Sequence, residues 1–236
     1  MTPMNPMTPT NPMTSMPHDI RLVVLDMAGT TVADGGLVEE AFAAAARHMG
    51  AEPDSMLDYV RATMGESKIS VFRHLFGEEG KAQDANKAFE AAYAALVDGG
   101  RVAALPGARE TIESLKSQGR TVVLTTGFAR TTQDAILAAL GWQDLADLTL
   151  CPADAGGRGR PYPDMALTAF LRTAVADDVR QIAVVGDTSY DMLSGVRAGA
   201  GLVAGVLTGA HDADALRAAG ANQVLDGVGQ LPGVLA

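Results

Sequence analysis

The stretch Ile20-Arg21-Leu22-Val23-Val24-Leu25-Asp26-Met27-Ala28-Gly29-Thr30-Thr31 decides how this chain is read. Five of its first six residues are aliphatic, the run stops on a carboxylate, and a glycine follows three residues later. A short apolar run without polar alternation is the pattern of a parallel strand covered on both faces. A polar residue at its carboxyl end stands where open α/β sheets collect ligands.

Working outward, similar runs return at 121–125, 148–151, 182–185 and 202–207. Between them, 108–117, 130–140, 165–174 and 190–198 have helical spacing, with Gly119, Gly141 and Gly199 where helix ends are expected. This alternation predicts an α/β fold, a doubly wound, Rossmann-like parallel sheet. The interval from the first run to the second is too long for one crossover. Residues 37–102 hold Ala-rich helical segments and no convincing strand, so an all-helical cap domain is expected as an insertion. Asp34-Gly35-Gly36 and Asp98-Gly99-Gly100 flank it and suit hinges, and Pro106-Gly107 restarts the core. The expected organisation is a disordered tail over 1–19, an α/β core over 20–34 and 103–236, and a helical cap over 35–102.

Composition narrows the class. The chain has 236 residues, of which 47% are hydrophobic, enough to bury a sizeable core. Its formal net charge of -10 disfavours nucleic acid or an anionic membrane surface as partner, because both would repel it at long range. A small anionic substrate then needs a local positive site. No run approaches the ~20 apolar residues that span a bilayer. The single cysteine, Cys151, forms no internal disulfide, and a reducing cytoplasm is the simplest location. Residues 1–17 repeat Met, Pro, Thr and Asn without the features of a secretory signal.

Four polar clusters stand where apolar runs end: Asp26, then Thr125-Thr126-Gly127, then Arg160 in Arg160-Pro161-Tyr162-Pro163-Asp164, then Gly186-Asp187-Thr188-Ser189-Tyr190-Asp191. Singly each is weak, since an Asp after a strand is commonly a turn former or helix cap. Together, in this order, they resemble the haloacid dehalogenase superfamily, whose motifs are an Asp nucleophile, a Ser or Thr, a Lys or Arg, and an acidic pair. The resemblance implies that Asp26 attacks phosphorus and that Mg2+ is held by Asp26, the backbone carbonyl of Ala28, and Asp187, with Asp191 in support. It also implies that Thr126, preferred over Thr125, and Arg160, preferred over Arg158, hold the phosphoryl group, with Gly29 and Gly127 alongside. Oxygen ligands suit a hard cation, and that cation offsets the repulsion between carboxylate and phosphoryl oxygens.

One departure narrows the substrate. Ordinary phosphatases of the superfamily carry a second Asp two positions after the nucleophile, which protonates the leaving alcohol. Here that position is Ala28. Asp26-Met27-Ala28-Gly29-Thr30-Thr31, the arginine at position 160 and Met64-Gly65-Glu66-Ser67-Lys68 are similar to the corresponding segments of phosphonoacetaldehyde hydrolase. That branch cleaves a carbon–phosphorus bond, and its lysine forms a Schiff base. The resemblance therefore implies a covalent role for Lys68, with Met64 beside the imine, and a homodimer joined through the cap. Val71 replaces the histidine that the branch carries three residues after its lysine, and Phe128 replaces the tyrosine after its Thr-Gly. Two other readings stay open: a phosphatase or phosphotransferase for another small ester, with Lys68 as an anion contact, and a catalytically silent binding protein. His18, His48 and His211 lie outside every motif and read as surface residues.

Overall fold

A computed structural model describes residues 19–236. The tail expected before Asp19 lies outside the described residues. Asp19 itself pairs with Arg21 at the surface.

The chain begins with β1 (Leu22–Asp26) and the short β2 (Val32–Ala33). Four helices follow: α1 (Leu37–His48), α2 (Asp54–Ala62), α3 (Lys68–Phe76) and α4 (Glu79–Asp98). After β3 (Ala103–Ala104), strands and helices alternate as α5 (Ala108–Ser117), β4 (Thr121–Thr125), α6 (Arg130–Leu140), β5 (Leu148–Leu150) and α7 (Asp164–Thr173). The last elements are β6 (Ile182–Gly186), α8 (Ser189–Ala198), β7 (Leu202–Val206), α9 (Ala213–Ala218), β8 (Gln223–Leu225) and α10 (Leu231–Val234).

Six strands form one parallel sheet in the order β5-β4-β1-β6-β7-β8. Every residue of β1, β6 and β7 is buried, which is why these strands are continuous aliphatic runs rather than alternating ones. The chain leaves β1 toward β4 on one side and returns to β6 on the other, so the order of strands reverses at β1. Loops on the two sides of such a reversal diverge and leave a crevice at the strands' carboxyl ends. Asp26, Thr125 and Gly186 are the last residues of the three central strands and share its floor.

The five aliphatic runs and four core helices read from the sequence correspond to β1, β4, β5, β6, β7 and to α5, α6, α7, α8. Two features were not anticipated. The strand β8 extends the sheet at its edge, and β2 pairs antiparallel with β3 at the neck of the helical insertion. The neck strands have two residues each, and β8, Gln223-Val224-Leu225, carries only two apolar residues in a row, unlike the run that gave β5.

The helical insertion packs α4 along α1 and α3. An aromatic cluster ties it to the core. Phe42 lies 4.8 Å from both Phe72 and Phe89, and Tyr93 lies 4.7 Å from Phe128 in the loop after β4. Tilted ring pairs of this kind each add about 0.5–1.5 kcal/mol beyond the area they bury. No helix of the described residues is long and apolar enough to cross a membrane.

Candidate active site

Between the helical insertion and the carboxyl ends of the central strands lies a cavity of about 470 Å³. Asp26, Ala28, Gly29, Met64, Lys68, Thr126, Gly127, Arg160 and Asp187 all line it. Asp191 sits behind this wall, 2% exposed. All ten residues singled out from the sequence are therefore in or directly behind one site.

The turn after β1 holds its shape through local bonds. Thr30, Thr31 and Val32 each donate a backbone N–H to the Met27 carbonyl, and the Thr31 hydroxyl donates to the Asp26 carbonyl at 2.9 Å. Gly29 has φ +85°, and a Cβ there would collide with the Asp187 carboxylate. Only glycine meets both demands. Thr30 donates its hydroxyl to Asp187 Oδ1 at 3.1 Å, so Thr30 braces a carboxylate and Thr31 the backbone at Asp26.

Arg160 is the positive centre. Its Nη1 donates to Asp26 and to Asp191, its side chain is 4% exposed, and its Nε is buried without a partner. Arg158 instead pairs with Asp164 at the surface, 2.8 Å away, and stacks over Tyr162. Thr126 lines the cavity, whereas the Thr125 hydroxyl turns back to donate to the Leu25 carbonyl. Asp191 is the third helical residue of α8, capped by Thr188. Its Oδ2 accepts from the Thr188 N–H at 3.1 Å and from the Thr188 hydroxyl at 2.5 Å.

Asp26, Asp187 and Asp191 each offer a carboxylate oxygen, and these oxygens lie within 4.8 Å of one another. Burial, and then the neighbouring negative charges, raise both Asp26 and Asp187 above the usual carboxylate range; Arg160 opposes this at Asp26. Three buried carboxylates against one arginine are a charge deficit, and an all-oxygen set suits a hard divalent cation. The residues thus fit Mg2+. Asp191 is already committed to Arg160 and Thr188, while each Asp187 oxygen carries one hydrogen bond and retains lone pairs for a metal. Mg2+ at a hundred times its Kd is expected to stabilise the protein by about 2.7 kcal/mol. Thermal unfolding with and without the ion measures this, and Asp187→Asn should remove the shift.

The segment before α3 brings in the lysine. Lys68 N–H donates to the Gly127 carbonyl at 3.3 Å, joining helical insertion to core. A Cβ at Gly127 would lie 2.8 Å from the Glu66 carbonyl oxygen, and one on Gly65, at φ +97°, would press on Thr188. Two glycines therefore allow this close approach. Gly127→Ala is expected to leave the thermal midpoint nearly unchanged but to lower kcat/KM roughly 10- to 100-fold, because the two halves no longer seat. Full activity in that variant would show that the contact is dispensable.

Lys68 is 7% exposed, and its Nζ lies 5.5 Å from the Phe128 ring centroid and 5.7 Å from that of Phe42. It makes no ion pair or side-chain hydrogen bond among the described residues. Burial lowers its pKa to about 8; Asp34 pulls the other way, and Arg160 adds to the lowering. Met64 lines the same cavity and packs against the core.

The sequence did not point to the loop after β7. Thr208 donates its hydroxyl to the Gly29 carbonyl at 2.7 Å, and the Ala210 N–H donates to Asp187 Oδ2 at 2.8 Å. Gly209 passes so near Asp187 that no side chain fits. The only signal for these residues was a glycine just past the fifth aliphatic run. His211, read as a surface residue, is half-buried and accepts the Ser189 N–H at 2.9 Å on its Nδ1, which braces the start of α8.

Residues 20–199 match the family described as haloacid dehalogenase-like hydrolase. The chain belongs to that family. It is 30% identical over 218 residues to "Probable phosphatase IndB" of Dickeya dadantii, covering 90% of this chain and 92% of that one. It is 26% identical to phosphonoacetaldehyde hydrolase of Pseudomonas fluorescens, over 82% of this chain and 75% of the relative. Among solved structures, a phosphonoacetaldehyde hydrolase-like protein from Oleispira antarctica superposes with a TM-score of 0.79 at 25% identity, covering 93% of this chain and 92% of that one. As a haloacid dehalogenase-like hydrolase, the protein has its crevice at the carboxyl ends of β1, β4 and β6, with Asp26 at its centre.

Proposed function

We propose that this hydrolase cleaves the carbon–phosphorus bond of phosphonoacetaldehyde, or of a related small phosphonate aldehyde, to acetaldehyde and phosphate. The observation that carries this reading is Lys68, a buried amine without an ion pair, facing the same cavity as Asp26 while position 28 offers no acid. A phosphatase needs a proton donor for its leaving alkoxide; carbon–phosphorus cleavage needs an electron sink instead.

Lys68 condenses with the aldehyde and becomes a protonated imine. Asp26 then attacks phosphorus, the carbon–phosphorus bonding pair moves into the imine to give an enamine, and an aspartyl phosphate forms. Water cleaves the aspartyl phosphate to free phosphate. Protonation of the enamine carbon and hydrolysis of the resulting imine release acetaldehyde and restore Lys68. Arg160 and Thr126, which line the cavity, hold the phosphoryl oxygens. When bound by Asp26, the Ala28 carbonyl and Asp187, with Asp191 in support, Mg2+ supplies the positive charge that lets a carboxylate approach a phosphonate.

Attack on an aldehyde needs the neutral amine. Below a lysine pKa of about 8, kcat/KM is therefore expected to rise about tenfold per pH unit, levelling near that value or lower once Mg2+ adds its charge. A profile falling across pH 6 to 8 would contradict the amine's role. The direct test adds borohydride to protein and phosphonoacetaldehyde and maps the modified peptide. Reduction should attach the substrate carbons to Lys68, and an active enzyme with Lys68 untouched would sink the mechanism.

A second reading is favoured by the 30% identity to a protein named as a phosphatase. In it Asp26 and the metal act on another small phosphate ester, and Lys68 is an anion contact. Phosphate release from a panel of esters, set against phosphonoacetaldehyde, separates the two.

A further inference from the structure

Imine formation moves protons, and Val71 and Phe128, both buried apolar side chains, supply no group for that task. Five carboxylates line the cavity. Asp26 is paired with Arg160, Asp187 bonds Thr30, Glu39 pairs with Arg61, and Glu66 bonds Tyr190. The fifth, Asp34, has no side-chain partner among the described residues. It accepts only backbone N–H groups, including that of Val38 at 3.2 Å at the start of α1.

We propose that Asp34 is the proton-transfer partner of Lys68, exchanging protons with the amine and with the aldehyde oxygen while the imine forms. The proposal rests on the phosphonate-aldehyde reading above. Asp34 and Lys68 line one cavity of about 470 Å³ and form no direct ion pair among the described residues. Asp34 exerts the largest charge influence on Lys68, and burial raises its own pKa above the usual carboxylate range, which suits a group that both takes and returns protons. Its charge also reaches the Tyr93 hydroxyl, buried behind Phe128 without a hydrogen-bond partner.

The atoms balance. An ammonium brings three protons on nitrogen, and the protonated imine keeps one. Asp34 carries the other two, in turn, to the carbonyl oxygen. Each proton taken from nitrogen frees an electron pair: the first forms the carbon–nitrogen σ bond as the carbonyl π pair moves to oxygen, and the second forms the π bond as the carbon–oxygen σ pair departs with water. The backbone bonds from Val38 and Gly36 anchor the carboxylate at the neck of the helical insertion.

The test measures the rate at which borohydride traps phosphonoacetaldehyde on Lys68. Asp34→Asn keeps an acceptor for Val38 but cannot take a proton. It should slow trapping roughly 100-fold, and Asp34→Glu should recover most of the rate. Trapping at the wild-type rate in Asp34→Asn would overturn the proposal. So would equal losses in both variants, which would mark Asp34 as a helix cap alone. If the wild-type protein traps nothing, the phosphonate-aldehyde reading itself fails and this inference falls with it.

Discussion

Replacing Asp26 with asparagine is expected to lower phosphate release from phosphonoacetaldehyde by on the order of 10⁴-fold, while borohydride still traps the aldehyde on Lys68. Asparagine has the same shape, but its amide oxygen is a poor nucleophile and forms no stable acyl phosphate. In the proposed mechanism imine formation takes place at Lys68 on the helical insertion and does not need the Asp26 charge, so the two half-reactions should separate. The fold should tolerate the change, because Arg160 keeps its bond to Asp191. Phosphate assay and peptide mapping on the same sample read both halves. Near-normal phosphate release from Asp26→Asn would remove Asp26 from the role of nucleophile.

The second large effect is expected at Lys68. Lys68→Arg keeps a positive charge beside Phe42 and Phe128 but removes the nucleophilic amine, because a guanidinium stays protonated. Without an imine the bonding electrons leave as an unstabilised carbanion. Carbon–phosphorus cleavage should fall at least roughly 10³-fold, about 4 kcal/mol of barrier. The larger head group in a close-packed site also costs about 1–3 kcal/mol of stability. Lys68→Met, which keeps the length and apolar stem, controls for that strain and should lose cleavage equally. Retention of most activity by Lys68→Arg would mean that a charge suffices, and the phosphatase reading would then lead.

The three central features of the fold were legible because each has a strong local cause. Strands buried on both faces must be continuously apolar, and β1, β4, β6 and β7 are. A helix at the sheet surface must repeat its apolar face, and α5 and α6 match their sequence-derived bounds at both ends. The 66 residues from 37 to 102 lacked a strand pattern, and α1 to α4 occupy that interval. The strands β2, β3 and β8 were not legible, since two residues are too few for a period, β8 holds only two consecutive apolar residues, and their pairing depends on distant partners.

At the site, position along the chain pointed to four clusters, at Asp26, Thr125-Thr126-Gly127, Arg160 and Gly186 to Asp191, because each follows an apolar run or sits in a Gly- and Pro-marked loop. Choosing Arg160 over Arg158 rested on a motif. The physical difference appears only in three dimensions, where Arg160 is enclosed by two carboxylates and Arg158 faces solvent. Asp34 looked like part of a hinge, and nothing local distinguished it from Asp98. Only folding brings Asp34 to the cavity that Lys68 lines, with no side-chain partner among the described residues.

By itself, then, the sequence determined the layered α/β core, the inserted helices and the place of Asp26 at the end of the first strand. These follow from burial and from residue types a few positions apart. Only the tertiary structure decided which charges meet: Arg160 with Asp26 and Asp191, Asp187 with the loop after β7, and Lys68 with aromatic faces rather than a carboxylate. Those pairings join residues up to 134 positions apart. They set the charge balance of the crevice, and no local pattern encodes a distance between two ends of a chain.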